Sequence, residues 1–283
     1  MPNKRQLEKQ IGTIEGLRDI IHSMRSLAAT YLSRAEERLD GVRAYADTVG
    51  RAIEDCLRGS DIATPDELTR GTAIIGFFSE QGLCGRFNEV LAEAAAEHAG
   101  EVQSPHFIAV GRRGPGLLRM MNLDLLAELP STTSPSGIDA VIHDIARTVM
   151  QLHRKNAFAE LYLLYAHYLS PGRIRPTFER VLPIDLSQYR REGTEAARPT
   201  LGLSRLTLLM ELVDEHAFVS LYRAMIESLA SENGMRLQSM EAAKSNIDDT
   251  LSDLQMRARR ERQNEITDEL LDIVAGAEAL ADE

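Results

Sequence analysis

The sequence predicts two long terminal helices that pair as an antiparallel coiled coil, with a mainly parallel, Rossmann-like α/β domain between them. Both ends of the chain carry apolar residues at helical spacing without an internal proline. The middle alternates short apolar runs with helical patterns. The expected boundaries are 1–60 for the first helix, 65–195 for the α/β domain and 201–283 for the last helix.

The N-terminal helix is predicted from a stripe of apolar residues that recur in alternating steps of three and four. The stripe runs over Leu7–Cys56, is interrupted only by Arg18 and Arg25, and contains no proline. We expect the neighbouring residues Leu17, Met24 and Leu27 to take the places of the two arginines in the stripe. About 50 helical residues would span roughly 75 Å, so this helix needs a partner that covers its stripe.

The C-terminal helix is the predicted partner. Apolar residues recur at helical spacing from Leu221 to Leu229 and from Met240 to Ala258, and a further stretch runs from Ile266 to Leu280. Gly234 lies between the first two stretches, where we expect a break or a bend. Two terminal helices joined by a central domain pair most simply in antiparallel orientation.

The centre of the chain predicts an α/β domain. Short apolar runs occur at TAIIGFFS, HFIAVG and AELYLLYAHYL, and RPTFERVLPI is expected to form a further strand with its prolines at the ends. Helical patterns at FNEVLAEAAAEHA and IDAVIHDIARTVMQLHR alternate with these runs. Strands that alternate with helices predict a mainly parallel sheet.

Composition restricts the function. A formal net charge of -11 and a pI of about 5.2 argue against a protein that coats nucleic acid. Cys56 and Cys84 have the spacing of neither a disulfide framework nor a zinc site, so we expect a reducing compartment and no metal site. The sequence has no signal-peptide pattern and no uncharged apolar stretch of about 18 residues, so a membrane span is not expected.

Two glycine-containing loops are candidate sites of chemistry. SEQGLCGRFN follows the first predicted strand and GRRGPG follows the second, and neither has the glycine spacing of a phosphate-binding loop. A tight structural turn is therefore favoured over a nucleotide site. A packed thiol at Cys84 is favoured over a nucleophile, because no base accompanies it. We find no catalytic constellation and expect no cofactor.

The C-terminal helix carries a basic segment in an acidic chain. Glu261 occupies the position that the apolar stripe requires after Ala258, and the stripe resumes at Ile266. A solvated, salt-bridged exterior is the ordinary explanation of such charges. The interrupted stripe favours a surrounding partner with carboxylates, or RNA, because arginine forks suit both. We name as the arginine collar Arg257, Arg259, Arg260 and Arg262.

Three segments in chain order resemble the γ subunit of the F-type ATP synthase. SMRSLAATYLSRAEERLDGVRAYADTV resembles that family's N-terminal helix, and GLCGRFN resembles its central loop. The C-terminal run contains SE, A-x-x-N, RQ-x-x-IT-x-EL and IV-x-GA-x-AL in the family's order. The resemblance covers the whole chain, and its departures indicate a divergent branch: His22, Ser26, Arg86, Arg259 and Glu261.

The resemblance implies a central rotor shaft without an active site of its own. In that family the terminal coiled coil turns inside a ring of α and β subunits, and the α/β domain docks on the ε subunit and the membrane c-ring. Rotation couples ion flow to conformational cycling of the catalytic β subunits. The resemblance implies five contacts with β subunits: Met24, Arg259, Arg262, Gln263 and Thr267. Among them, Met24 is expected at the same level as the others, and Arg259 is this chain's own addition. The implied apolar tip, which turns in an apolar sleeve, consists of Ile273, Val274, Ala277, Ala279 and Leu280.

The implied location is the cytoplasmic face of a bacterial or archaeal membrane, which the chain would reach only through its complex. Two other functions stay open. A coiled-coil binding module that holds RNA or another acidic partner would show salt-sensitive RNA binding. An enzyme that uses the α/β domain on a phosphorylated ligand would be stabilised thermally by a nucleotide.

Overall fold

Two long helices flank a domain that contains a β-sheet, in a computed structural model that describes residues 4–58, 71–155, 157–189 and 204–281. Helix α1 spans Lys4–Leu57 and helix α5 spans Arg205–Ala281. Between them lie, in chain order, β1 (Thr72–Phe77), α2 (Phe87–Ala99), β2 (Pro105–Val110), α3 (Gly114–Met120), β3 (Leu125–Leu129), α4 (Ile138–Arg154), β4 (Glu160–Ser170) and β5 (Arg173–Leu182).

The chain forms two compact units. One consists of Met1–Leu27 with Ser239–Glu283, and the other of Ala28–Gln238. In the first unit Arg25 pairs with Glu241, while the segment around Lys9 to Ile14 lies beside Thr250 to Arg257. Residue numbers therefore rise along one helix as they fall along the other, so the two segments are antiparallel.

The sheet of the second unit has the strand order β3-β2-β1-β4-β5. Strands β3, β2, β1 and β4 pair in parallel, and β5 pairs with β4 in antiparallel orientation. The predicted fold class, with terminal helices and a mainly parallel central sheet, is confirmed. Strand β3 was not predicted, because its sequence LLAEL is short and only half-buried and does not alternate as a strand would.

Apolar side chains cover both faces of the sheet. Neighbouring residues Ile74 and Ile75 of β1 point to opposite faces, and both are fully buried, as expected for a central parallel strand. One cluster joins Ile75 to residues of α1, α4 and α5, including Leu39, Ile142 and Leu221. The other cluster joins Ile74 to residues of α2 and α3, including Leu91 and Leu118. The long helices are thus part of the core of the second unit.

The predicted stripe of α1 is the face that the structure buries. Every apolar stripe position from Leu7 to Cys56 is buried or half-buried. Of the expected substitutes for the two arginines, Met24 is half-buried against the apolar core of the first unit. Leu17 and Leu27 were expected wrongly, because they are 43% and 52% exposed. Arg25 instead stays half-buried at its stripe position through its 2.7 Å ion pair with Glu241.

The break or bend expected at Gly234 is also wrong, because α5 runs through it without interruption. A Cβ atom at this position would lie 3.1 Å from the Tyr168 ring and 3.4 Å from Cα of Pro171. Glycine is therefore used here for close approach of the helix to the β4–β5 turn, and not to end the helix.

Candidate partner-binding shaft and its attachment

The antiparallel pair of the first unit has a small apolar core. Ile21, Met240, Ile247 and Leu251 are buried together, with further apolar residues packed against them. Because Arg25 pairs with Glu241 and Lys9 lies in the groove that Arg257 also lines, α1 lies opposite α5 up to about the arginine collar.

The arginine collar lies on the surface of this pair. Arg257 pairs with Asp253 one turn earlier at 2.7 Å, and the Arg259 Nε donates to the Gln255 carbonyl at 3.4 Å. Arg259, Arg260 and Arg262 are all exposed. The collar therefore combines local contacts on α5 with guanidinium groups that a partner can reach.

The predicted contact residues after the collar are exposed as well. Gln263 is exposed, and the exposed Thr267 donates its hydroxyl to the Gln263 carbonyl at 2.9 Å. The hydroxyl of Thr267 is thus satisfied within the helix, while the amide of Gln263 faces solvent. Arg262, Gln263 and Thr267 are brought into consecutive turns of one uncovered helix.

The apolar stretch that begins at Ile266 does not resume a contact with α1. Ile266, Leu270, Leu271 and Ile273 are 50%, 57%, 61% and 68% exposed. By the antiparallel register, no described residue of α1 lies opposite them. Large apolar residues at this density on a soluble helix mark a surface that another molecule covers. The remaining predicted tip residues have side chains outside the described residues: Val274, Ala277, Ala279 and Leu280.

Met24 does not lie at the level of the other predicted contacts. It packs in the core with Met240 and Ala243 and precedes Arg25, the partner of Glu241. The helical distance from Glu241 to Arg262 is roughly 32 Å at the α-helical rise. The expected common level is therefore wrong, and a contact at Met24 would involve a different part of a partner.

The two glycine-containing loops meet each other. Arg112 pairs with Glu80 at 2.6 Å, and the backbone N–H of Arg113 donates to the Ser79 carbonyl at 3.1 Å. Gly111 has φ +103°, and a Cβ atom there would lie 2.2 Å from the Phe78 carbonyl oxygen. The geometry is that of two interlocked structural turns.

Cys84 lies inside the first of these turns. Its side chain is buried and accepts a hydrogen bond from the Asn88 side-chain amide at 3.4 Å. Burial raises the pKa of the Cys84 thiol, which keeps it protonated and weakly nucleophilic. Within the described ranges, no three His, Cys, Asp or Glu side chains are grouped so as to hold a metal ion.

A buried polar segment of α5 is absent from the predicted site residues. We name it the polar attachment; each member is at most 8% exposed. The available signal was the interval between Leu229 and Met240 in the predicted apolar stripe, where SENGMRLQS places polar residues on a helix that is otherwise apolar on its core face. The polar attachment consists of Glu227, Ser228, Ser231, Glu232, Asn233 and Arg236.

An ion pair of the polar attachment holds the first glycine-containing loop. The Arg236 guanidinium donates to Glu232 at 2.5 Å and to the carbonyls of Gln81 and Gly82 at 3.3 and 3.4 Å. Burial raises the pKa of Glu232 to about 7, although Arg236 lowers it, and nearby Glu80 raises it further. The loop that the sequence predicts to be a tight structural turn is thus hydrogen-bonded to the long helix.

These features define a class of protein: its chain has two long terminal helices, which form an antiparallel pair with exposed arginines, and a mainly parallel α/β domain between them in sequence. Residues 3–280 match the ATP synthase family. The chain belongs to this family, as a γ subunit of the F-type ATP synthase, which is a non-catalytic subunit of a membrane-associated complex.

Relatives in two bacteria match almost end to end. The ATP synthase gamma chain of Alkaliphilus metalliredigens is 30% identical over 285 residues, covering 97% of this chain and 97% of that protein. The ATP synthase gamma chain of Rhizobium johnstonii is 26% identical over 294 residues, covering 99% and 100%.

Solved structures share the fold. A chain of the Euglena gracilis mitochondrial ATP synthase in rotational state 3 matches with a TM-score of 0.70 at 15% identity, covering 98% of this chain and 94% of that one. A chain of the Tetrahymena thermophila central stalk and c-ring matches with a TM-score of 0.58 at 20% identity, covering 79% and 99%. In the part of this chain that the structure describes, no helix combines the length and apolar character of a membrane span.

Proposed function

We infer that this chain is the central rotor shaft of an F-type ATP synthase, coupling ion flow through a membrane c-ring to conformational cycling of catalytic β subunits. The observation that carries the inference is the uncovered end of α5, where exposed arginines are followed by exposed Ile266, Leu270 and Ile273. Exposure of these apolar side chains to water is unfavourable in free energy, and a surrounding ring of subunits would bury them.

The two kinds of surface on this end suit different contacts. Arg259, Arg262 and Gln263 offer donors that a carboxylate-bearing loop of a β subunit would accept, and Thr267 lies one turn further on. The apolar surface from Ile266 to Ile273 offers non-directional contact, which can be remade at successive angles without leaving a buried polar group unpaired. This combination supports a shaft that engages β subunits at the collar and turns in an apolar sleeve beyond it.

The remaining partners follow from the same proposal. The α subunits would complete the ring, and the ε subunit and c-ring would dock on the α/β domain. The complex would lie at the cytoplasmic face of a bacterial or archaeal membrane, and the chain would reach that membrane only through its partners. The acidic net charge of -11 opposes the alternative of general RNA binding.

Charge reversal at the collar tests the contact with β subunits. Arg262→Glu should lower ATP hydrolysis by the assembled complex by about tenfold, because the loss of a charge-assisted hydrogen bond is worth at least about 1.4 kcal/mol. Arg154→Glu, at an exposed position on α4, is the matched control and should leave turnover unchanged. Unaltered turnover and torque in the Arg262 variant would remove the collar from the mechanism.

Affinity capture of the native complex, followed by mass spectrometry, tests the assembly itself. We expect α, β and ε subunits to co-purify with this chain at fixed stoichiometry. Their absence, or salt-sensitive capture of RNA in their place, would contradict the proposed function.

A further inference from the structure

We propose that the polar attachment transmits torque between the α/β domain and helix α5, and that its residues are positioning residues for energy coupling. The proposal rests on the proposed function as a rotor. Its starting point is an edge of strand β4. Strand β1 pairs with β4 only as far as Leu164, whereas β4 continues to Ser170.

Beyond Leu164, where β1 no longer pairs with β4, two serines of α5 make hydrogen bonds to the backbone of β4. The backbone N–H of Ala166 donates to the Ser228 hydroxyl at 3.2 Å, and the Ser231 hydroxyl donates to the Ala166 carbonyl at 2.8 Å. Both backbone groups of one central strand residue are therefore satisfied by side chains of the helix.

Glu227 extends this contact by two residues along β4, from Ala166 to Tyr168, and adds a carboxylate. Its carboxylate accepts the backbone N–H of Tyr168 at 2.9 Å and the Arg43 guanidinium at 2.7 Å, and it lies 3.3 Å from the His167 ring. Glu227 itself is 1% exposed. One carboxylate thus ties α5 to the sheet and to α1 together.

Arg236 closes the other end of the attachment. It holds the Gln81 and Gly82 carbonyls of the loop after β1, while Glu232 and Asn233 accept from the same guanidinium. Contacts to β4 and to the loop after β1 therefore lie about two and a half turns apart along α5. Two anchor points separated along a helix resist both sliding and rotation of that helix about its axis.

The chemistry of these contacts suits a torque-bearing joint. Apolar packing is non-directional, so a helix held by it alone can slip to a neighbouring arrangement at modest cost. Buried hydrogen bonds are directional, and each one broken leaves a buried group unsatisfied. Buried ion pairs contribute little net stability compared with apolar residues, so a run of buried polar groups is better explained by a fixed register than by stability.

The test compares three variants in the native ATP synthase complex reconstituted into vesicles. The double variant Ser228→Ala/Ser231→Ala removes the partners of Ala166. Leu91→Ala is the matched control, because Leu91 is a buried residue of α2 in the cluster that covers the sheet and makes none of these polar contacts. Melting temperatures of the isolated full-length chains establish how far each variant is destabilised.

We expect the double variant to lose roughly half or more of the ions pumped per ATP hydrolysed, as local opening of the attachment lets the helix slip under load. Its torsional stiffness, measured on single rotors, should fall with it. Leu91→Ala should keep the wild-type coupling ratio despite its lower melting temperature. Glu227→Gln, which keeps the shape and the acceptor for Tyr168, should show a smaller loss in the same direction.

Equal coupling in the double variant and in the control would overturn the torque role, as would loss of stability with an unchanged coupling ratio. If the wild-type chain itself failed to support coupled pumping, the proposed function would be wrong as well. The two failures are therefore distinguishable.

Discussion

Two segments of helix α5 differ in which side chains they bury. Between Glu227 and Arg236 it buries carboxylates, hydroxyls and a guanidinium, whereas from Ile266 to Ile273 it exposes large apolar side chains. The first segment binds the chain's own sheet and loops, and the second has no described cover. The same helix is thus fixed where the domain holds it and left free for contacts that must change.

The largest expected effect on stability concerns the buried ion pair. Arg236→Met should lower the free energy of unfolding by about 3 kcal/mol at pH 8, since the buried Glu232 carboxylate then has no ion-pair partner and must either stay uncompensated or take up a proton. The cost should shrink at pH 6, where Glu232 takes up a proton. Urea unfolding of the full-length chain measures both values. The double variant Arg236→Met/Glu232→Gln should recover part of the loss, and equal losses in the single and double variants would contradict the assignment.

Close packing at Gly234 gives the next effect. Gly234→Val should cost about 2 kcal/mol, because its β-branched side chain meets the Tyr168 ring and the Pro171 backbone. Gly234→Ala should cost less, since one methyl group needs only a small shift and the helix gains propensity. Thermal unfolding of the two variants separates them. A greater stability of the valine variant would show that the helix and the β4–β5 turn are not in close contact.

The pH dependence of stability should carry the signature of Glu232. Its pKa in the folded chain is raised from 4.5 to about 7, so folding binds a proton in that interval. The contribution of Glu232 to stability is fully present below about pH 4.5 and is lost as pH rises through about 7. Glu232→Gln cannot ionise, so its stability relative to wild type should increase between pH 5 and pH 8. A constant difference across this range would contradict the buried, proton-binding environment.

The smallest effect is expected at the uncovered end. Leu270→Ser should change the stability of the isolated chain by no more than about 0.5 kcal/mol, because the side chain is already 57% exposed. In the assembled complex the same variant should impair rotation, since a hydroxyl would meet an apolar surface. Strong destabilisation of the isolated chain would indicate that this end is covered by the chain itself.

Periodicity predicted much of the fold because burial on a helix repeats regularly. The α1 stripe and the four predicted strands depend on local patterns, and the structure contains them. Strand β3 escaped prediction because LLAEL has no strand periodicity, and Gly234 was misread because its reason is a contact with Tyr168, which is distant in sequence.

The candidate site also has a part that local sequence patterns predict and a part that depends on contacts between residues distant in sequence. The exposed collar could be predicted because Glu261 interrupts a regular apolar stripe next to Arg259 and Arg262. The polar attachment could not, because polar residues at core positions become understandable only when the edge of β4 and the loop after β1 are placed beside them. The level of Met24 depended on the register between helices, which motif resemblance does not determine.

Rotation of this chain inside its complex is the most direct test of its function. An exposed label site, Arg154→Cys on α4, would carry a probe, while Cys56 and Cys84 are buried. With α and β subunits fixed to a surface and ATP supplied, the probe should turn in one direction in discrete steps. A probe that stays fixed relative to the α and β subunits while ATP is hydrolysed would contradict the rotor function.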